Sequence, residues 1–242
     1  MAPIQGRPRI IGILGGTSHV IATAYYDLIN AASNRRLGGS YYGETIMMGM
    51  NFGAVADLAM SGQWDAVAEH ISQRVDQLEA AGAELIIGSS NTVHNVMREV
   101  MAGRDVDFLP ITEPLIAAIK ASGLKRIAIF GTRATMDNGA VMQEVREATG
   151  VELIVPNADE REEINRVIFE ELVNHEFKPE SRAFYRETAL RLARDEGAEG
   201  VILGCTEIFL LIDEPDLPEM KVFATARLHC EAAVARAFGE SA

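Results

Sequence analysis

The sequence predicts an α/β protein of two pseudosymmetric lobes, each a mainly parallel sheet flanked by helices, with the active site in the cleft between them. Three observations predict it. Short aliphatic runs alternate with stretches of helical spacing along the whole chain, the pattern of parallel sheets covered by helices. The stretch Gly82–Thr92 recurs without a gap as Gly197–Glu207, 115 residues on, and this sets Ser90 against Cys205. Ile11–Gly15 recurs as Ile127–Gly131, at an offset of 116. Gly-Ala-Glu followed by aliphatics is a common helix-to-strand connection. Two matches at nearly one period point further, to a duplicated α/β unit.

The elements follow in order. Residues 9–14 are an apolar run fit for a strand buried on both faces. Gly15-Gly16-Thr17-Ser18 is a tight turn carrying a hydroxyl, and a helix through Tyr25, Leu28 and Ile29 stops near Gly38-Gly39. The turn is not GxGxxG, and no acidic residue stands where a ribose would need one, so a dinucleotide site is rejected. Residues 44–49 are the second strand, with Asn51 just past its end. Val67, Ile71, Val75 and Leu78 give helical spacing over 64–81. Residues 85–87 are a strand that ends at Ser89-Ser90-Asn91-Thr92-Val93-His94. A short strand at 108–111, a helix at 114–122 and a strand at 126–130 follow, the last ending at Gly131-Thr132-Arg133. Helices are expected at 136–148, 159–172, 181–196 and 225–238, and strands at 152–155, 201–203 and 222–223. The first lobe takes 1–112 and 223–242, and the second takes 113–222.

Composition narrows the function. A chain of 242 residues, 48% hydrophobic, can bury a large core. No apolar run approaches the ~20 residues of a membrane span, and the opening residues lack the apolar stretch of a signal peptide. Cys205 and Cys230 are the only cysteines, too few for a disulfide framework. The expectation is a cytoplasmic protein with free thiols, Cys230 being a small buried apolar residue. The net charge of −13 repels nucleic acid and anionic membranes. A small anion can still be held at a helix N-terminus.

In open α/β sheets, ligands bind beyond the carboxyl ends of the strands. Cys205 stands at such an end, after Val201-Ile202-Leu203-Gly204, and Thr206 and Glu207 are suited to starting a helix there. A helix N-terminus would lower the thiol's pKa, whereas Glu207 would raise it. Glu207 has two further expected roles, capping that helix or orienting a substrate ammonium. Two groups on opposite faces of one carbon are what inversion needs, so Cys205 and Ser90 are the expected acid/base pair. No metal cluster, P-loop or pyridoxal-lysine signature appears in the sequence. Cα deprotonation would run on side chains and backbone dipoles. Thr17, Asn51, Asn91, Thr92, Thr132 and Thr206 follow strands at the same edges and are the expected binding groups, the threonines and Asn91 for a substrate carboxylate. His94 either activates Ser90 from one helical turn away or packs.

The chain resembles the cofactor-independent aspartate/glutamate racemases over nearly its whole length. The likeness is carried by Ile11–Gly16, Tyr25-Tyr26 with Leu28-Ile29-Asn30, Asn91–His94, Leu124-Lys125-Arg126 and Gly131-Thr132-Arg133 with Thr135-Met136. It continues through Glu170-Glu171-Leu172, Gly204–Ile208 and His229 with Glu231–Val234. The resemblance implies a two-domain pseudosymmetric fold, a homodimer, no cofactor and one reactive residue per lobe, Cys205 mapping onto the second-lobe cysteine. It places His229 at the cleft end of the last helix, as a substrate contact or a packing residue. Three departures stand out. Ser90 replaces the first-lobe cysteine, Ala224-Thr225-Ala226 replaces Asp-Thr-Thr, and Glu162-Glu163 stand where several relatives have a lysine.

The serine bears on the reaction. Racemisation has an equilibrium constant of one, so a hydroxyl far from the neutral pKa of a good base slows both directions together. The expected function is racemisation of an amino acid, aspartate or glutamate, between Cys205 and Ser90. The alternatives are a cofactor-free decarboxylase of a malonate-like acid, with Cys205 as sole proton donor, and an amino-acid-binding relative impaired in catalysis, an engineered cysteine-to-serine variant included.

Overall fold

The computed structural model describes residues 7–137 and 139–240. Residues 1–6, part of the opening stretch read as lacking an apolar leader, lie outside the described residues. The order is β1 (Ile11–Gly15), α1 (His19–Leu37), β2 (Thr45–Gly49), α2 (Phe52–Met60), α3 (Trp64–Ala80), β3 (Leu85–Gly88), α4 (His94–Met101), β4 (Asp107–Phe108) and α5 (Thr112–Ser122). Then come β5 (Arg126–Phe130), α6 (Arg133–Met136), α7 (Ala140–Thr149), β6 (Glu152–Ile154), α8 (Ala158–Glu170), α9 (Pro179–Glu196), β7 (Gly200–Leu203), β8 (Lys221–Ala224) and α10 (Thr225–Ala237).

The chain divides into two compact units. The first runs to Pro110 and resumes at His229, and the second is Ile111–Leu228. Each holds one all-parallel four-stranded sheet, of order β2-β1-β3-β4 in the first and β6-β5-β7-β8 in the second. The expected return at 222–223 comes later, inside α10, because β8 pairs with β7 along its full length and stays with the second sheet.

The duplicated stretch has a structural reason. In the first unit the Glu84 backbone N–H donates to the Ile10 carbonyl at 2.8 Å, and Glu84 Oε2 accepts from the Ile10 N–H at 2.8 Å. In the second, the Glu199 N–H donates to the Arg126 carbonyl at 2.8 Å, and Glu199 Oε2 accepts from the Arg126 N–H at 3.0 Å. The glutamate of each Gly-Ala-Glu thus ties its own strand to the start of the neighbouring central strand. The far ends match as well. Ser89 N–H donates to the Leu14 carbonyl at 3.0 Å, and Gly204 N–H donates to the Phe130 carbonyl at 2.6 Å. Sequence repeat and hydrogen-bond repeat share one register.

Each sheet is buried by helices whose apolar faces the sequence spaces correctly. In the first unit Val67, Ile71, Val75 and Leu78 of α3 meet Val96, Met97 and Val100 of α4 over Leu14 and Ile86. In the second, Leu115 and Ile119 of α5 and Val141, Met142 and Val145 of α7 pack on Ile127, Ile129, Ile202 and Phe223. β1 is buried at every position, as expected for a strand covered on both faces.

Five elements differ from expectation. The helix expected over 136–148 is two, α6 and α7, with Gly139 leading into the second. β4 starts and stops earlier, and Leu109-Pro110 leave the sheet. α2 and α4 were not expected. The helix expected after Cys205 is also absent. Only a three-residue 3₁₀ turn, Ile208–Leu210, follows. Ile208, Phe209, Leu211 and Ile212 are all buried, so the segment has no polar face to present as an amphipathic helix. Among the described residues no helix is long and apolar enough to cross a membrane.

Candidate active site

Parallel strands place all their C-terminal ends along one edge of each sheet, and the expected residues lie on those two edges. In the first unit, Gly16 makes the turn after β1. Its φ of +87° and the Met50 backbone nitrogen, which would lie 2.1 Å from an added Cβ, leave room for glycine alone. Met50 N–H donates to the Gly15 carbonyl, and this contact brings the end of β2 beside the turn, with Asn51 next in the chain. Asn51 is exposed and stands at the N-cap position of α2. Ser18 caps α1, its side chain accepting from the Ile21 N–H at 3.1 Å. Thr17 lies just before it, 6% exposed, and its hydroxyl oxygen is buried without a hydrogen-bond partner. A buried, unpaired hydroxyl at the head of a 19-residue helix is suited to an anionic group.

Ser90 follows β3 and is partly exposed. Its Oγ accepts from the Thr92 N–H at 3.1 Å, a local turn that holds the hydroxyl. Asn91 is buried and Thr92 exposed. His94 reaches Ser90, but at the carbonyl: Nδ1–H donates to the Ser90 carbonyl oxygen at 2.7 Å. Of the two readings of His94, this contact favours packing. His94 is a packing residue, stacked on Phe108 with ring centroids 5.8 Å apart, and burial pushes its pKa down to about 4.

His229 is wholly buried. Its Nε2–H donates to the Leu109 carbonyl at 2.9 Å, so the neutral ring accepts the Tyr25 hydroxyl proton at Nδ1, at 3.1 Å. Both nitrogens are engaged inside the first unit, with Tyr25 and Leu109. Burial drives its pKa to about 3, with His94 adding repulsion. The sign follows from linkage. Both imidazoles are neutral when folded and protonate near pH ~6.5 when unfolded. Their contribution is complete above about pH 6.5 and is lost as pH falls toward the folded values. For His229 the expected loss is about 1.4 kcal/mol per pH unit within that window. Urea unfolding between neutral pH and about pH 5 should show it, while the His229 ring resonances keep their neutral shifts.

In the second unit, Thr132 ends β5 and caps α6, its Oγ1 accepting from the Thr135 N–H at 3.3 Å and lying 3.0 Å from the Thr135 hydroxyl. Arg133 beside it pairs with Glu162 at 2.7 Å. Cys205 ends β7. Gly204 before it passes so close to β5 that an added Cβ would lie 2.6 Å from Ile129 Cδ1 and 2.9 Å from the Phe130 carbonyl oxygen. The Cys205 thiol donates to Glu207 Oε2 at 3.0 Å, and the Thr206 hydroxyl donates to the same oxygen at 3.2 Å. Thr206 and Glu207 are both buried, and the hydroxyls of Thr132 and Thr206 already serve internal contacts. Burial raises the thiol's pKa well above its ordinary value, and the Glu207 charge adds to the rise. The helix N-terminus expected to oppose this does not form.

The sequence profile of the Asp/Glu/hydantoin racemases matches residues 16–233. The chain belongs to this family. A candidate Asp/Glu racemase from Yersinia pestis is 34% identical, with TM-score 0.84, over 95% of this chain and 99% of that one. An aspartate racemase homologue from Pyrococcus horikoshii is 30% identical, with TM-score 0.80 and the same coverage. Glutamate racemase from Francisella tularensis, solved with D-glutamate, shares the fold at 14% identity, with TM-score 0.65 over 96% of this chain and 82% of that one.

Two further residues lie near the Cys205 turn: Tyr185, which the sequence did not single out, and Thr225, which it marked only as a departure from the family pattern. Tyr185 of α9 is wholly buried, its hydroxyl donating to the Ile164 carbonyl at 3.0 Å; burial holds its pKa well above the usual tyrosine value, and Cys205 adds to the rise. Its spacing to Ser181, Thr188, Ala189 and Leu192 marks the buried face of the helix and could have found it. Thr225 follows β8, and its hydroxyl donates to the Leu203 carbonyl at 2.8 Å, two residues before the thiol.

Proposed function

We propose that this protein racemises an amino acid, aspartate or glutamate, by cofactor-free proton transfer at Cα, with Cys205 as one acid/base and Ser90 as the other. The observation that carries the reading is the Cys205 thiol at the carboxyl end of β7, bonded to a buried carboxylate, with Ser90 at the matching position after β3. The names of the two relatives at 30% identity or above support the substrate class.

Inversion requires a group that removes the Cα proton and another that delivers one to the opposite face. The raised pKa keeps Cys205 protonated at neutral pH, the form that delivers a proton. Ser90 is the partner that accepts in that direction, and the roles exchange in the other. The Thr17 hydroxyl and the first turn of α1 are the proposed seat of the substrate α-carboxylate, where the helix dipole favours negative charge. Asn91 and the Thr92 N–H, at the same edge, are the proposed supporting groups.

The test uses each enantiomer of aspartate and glutamate in deuterated water, read by loss of the Cα–H signal and by chiral analysis. Exchange with appearance of the other enantiomer supports the reading. Neither event with any of the four leaves a binding protein. The serine and the protonated thiol together favour one second reading, a decarboxylase of a malonate-like acid in which Cys205 alone protonates the enolate left by loss of carbon dioxide. Carbon dioxide release from a 2-substituted malonate, without amino-acid exchange, would put that reading first.

A further inference from the structure

An acidic substrate brings a charge that the groups placed so far do not answer. Aspartate and glutamate carry a second carboxylate besides the one at Cα. Thr17, Ser90, Asn91, Thr92, Thr132 and Thr206 are uncharged, Glu207 is an acid, and burial holds His94 and His229 neutral. Among the described residues of the second unit, two arginines stand three residues past a strand end, on the edge that carries Cys205. Arg227, after β8, is engaged. It pairs with Asp213 at 2.6 Å, and its guanidinium lies over the Phe209 ring, 4.9 Å from the centroid. Arg133, after β5, is presented differently. We propose that Arg133 selects the acidic side chain, its guanidinium exchanging Glu162 for the second carboxylate of the substrate.

The backbone of Arg133 is fixed while its side chain can exchange partners. The N–H donates to Asn165 Oδ1 of α8 at 2.9 Å, and the Thr132 hydroxyl caps the same turn. α6 packs against the residue that precedes the thiol. A Cβ added to Gly204 would lie 3.5 Å from Thr135 Cγ2, and one added to Gly131 would lie 3.5 Å from the Gly204 carbonyl carbon. The guanidinium meets Glu162 through Nη1 at 2.7 Å, with side chains 61% and 64% exposed. A pair so solvated contributes little and is cheaply remade. A carboxylate that takes two N–H groups of the planar fork is held better than one met through a single nitrogen.

The neighbouring acids have arginines of their own. Asp137 lies 3.6 Å from Arg133 Nε but bonds Arg161, and Glu163 accepts two bonds from Arg166, at 2.7 and 2.9 Å. Glu162 is thus the acid that the substrate displaces, and its exposure lets it turn into water.

The inference deepens the racemase reading and rests on it. The experiment measures kcat and KM of the full chain for glutamate and aspartate and for their neutral counterparts, glutamine and asparagine. Arg133→Gln, Arg133→Lys and Glu162→Gln are compared with the parent, which should prefer the acids. Arg133→Gln should raise KM for the acids by about tenfold or more, the effect of losing a hydrogen bond to a charged group, and far more than for the amides. kcat should change little, as for a contact kept from ground state to transition state. Arg133→Lys keeps the charge without the fork and should recover part of the loss. Glu162→Gln breaks the same ion pair from the other side but frees the arginine, so KM for the acids should fall, by about twofold. A purely structural pair would give losses of one sign from both sides, equal for acids and amides. That result, or a parent that prefers the amides, would overturn the proposal. If the parent racemises none of the four, the racemase reading fails, and calorimetric titration with glutamate and glutamine decides the proposal by itself. Tighter binding of glutamate that is lost in Arg133→Gln sustains it, and the absence of that difference overturns it.

Discussion

Cys205→Ala is expected to abolish Cα–H exchange and leave the fold intact. The sulfur is the group that delivers and takes the proton in the proposed reaction, and loss of a positioned acid/base costs about 10²–10⁴ in rate. The structural cost is small by comparison. Alanine fits the partly exposed strand end, and Glu207 Oε2 keeps the Thr206 hydroxyl as a donor. Losing the thiol's hydrogen bond to a charged group costs about 1.5–3 kcal/mol, against ~5–15 kcal/mol for a typical domain. Circular dichroism should match the parent, and exchange should fall below a tenth. Residual exchange above about a tenth, equivalent to only ~1.4 kcal/mol of barrier, would remove Cys205 from the chemistry.

The fold was legible because the repeat is physical. Gly-Ala-Glu recurs since Glu84 and Glu199 each hold the start of a neighbouring strand, and apolar spacing marks α3 and both central strands. The edge location of Thr17, Ser90, Asn91, Thr132 and Cys205 follows from strand polarity alone. The state of each side chain was not legible, because it is set by neighbours distant in sequence or by backbone turns. His229 is quenched by Tyr25 and by the Leu109 carbonyl, 204 and 120 residues away. His94 lies the expected four residues from Ser90, yet the turn offers it the carbonyl in place of the hydroxyl. After Cys205, the polar pair Thr206-Glu207 has the look of a helix start. The Ile-Phe-Leu-Leu-Ile run behind it, buried at all but Leu210, cannot supply a solvated face, so the thiol gains a carboxylate neighbour and no helix dipole.

Ser90→Cys should raise racemisation in both directions together, by about tenfold or more. The equilibrium constant of one fixes the ratio of kcat/KM for the two enantiomers, so a better base on one face cannot favour one direction. A thiol, with a pKa near ~8.5, is far closer to neutral than a serine hydroxyl, and proton transfer is most efficient when the two are matched. Each ~1.4 kcal/mol taken from the barrier gives about tenfold. Ser90 is partly exposed, its Oγ is held by one backbone N–H from Thr92, and a sulfur can accept that bond at slightly greater length. Steady-state assays started from each enantiomer measure the gain. Equal gains from both starting points make residue 90 the second acid/base. No gain, or full activity retained in Ser90→Ala, removes it from that role and moves the one-donor decarboxylase to first place, since that reaction needs only the thiol of Cys205.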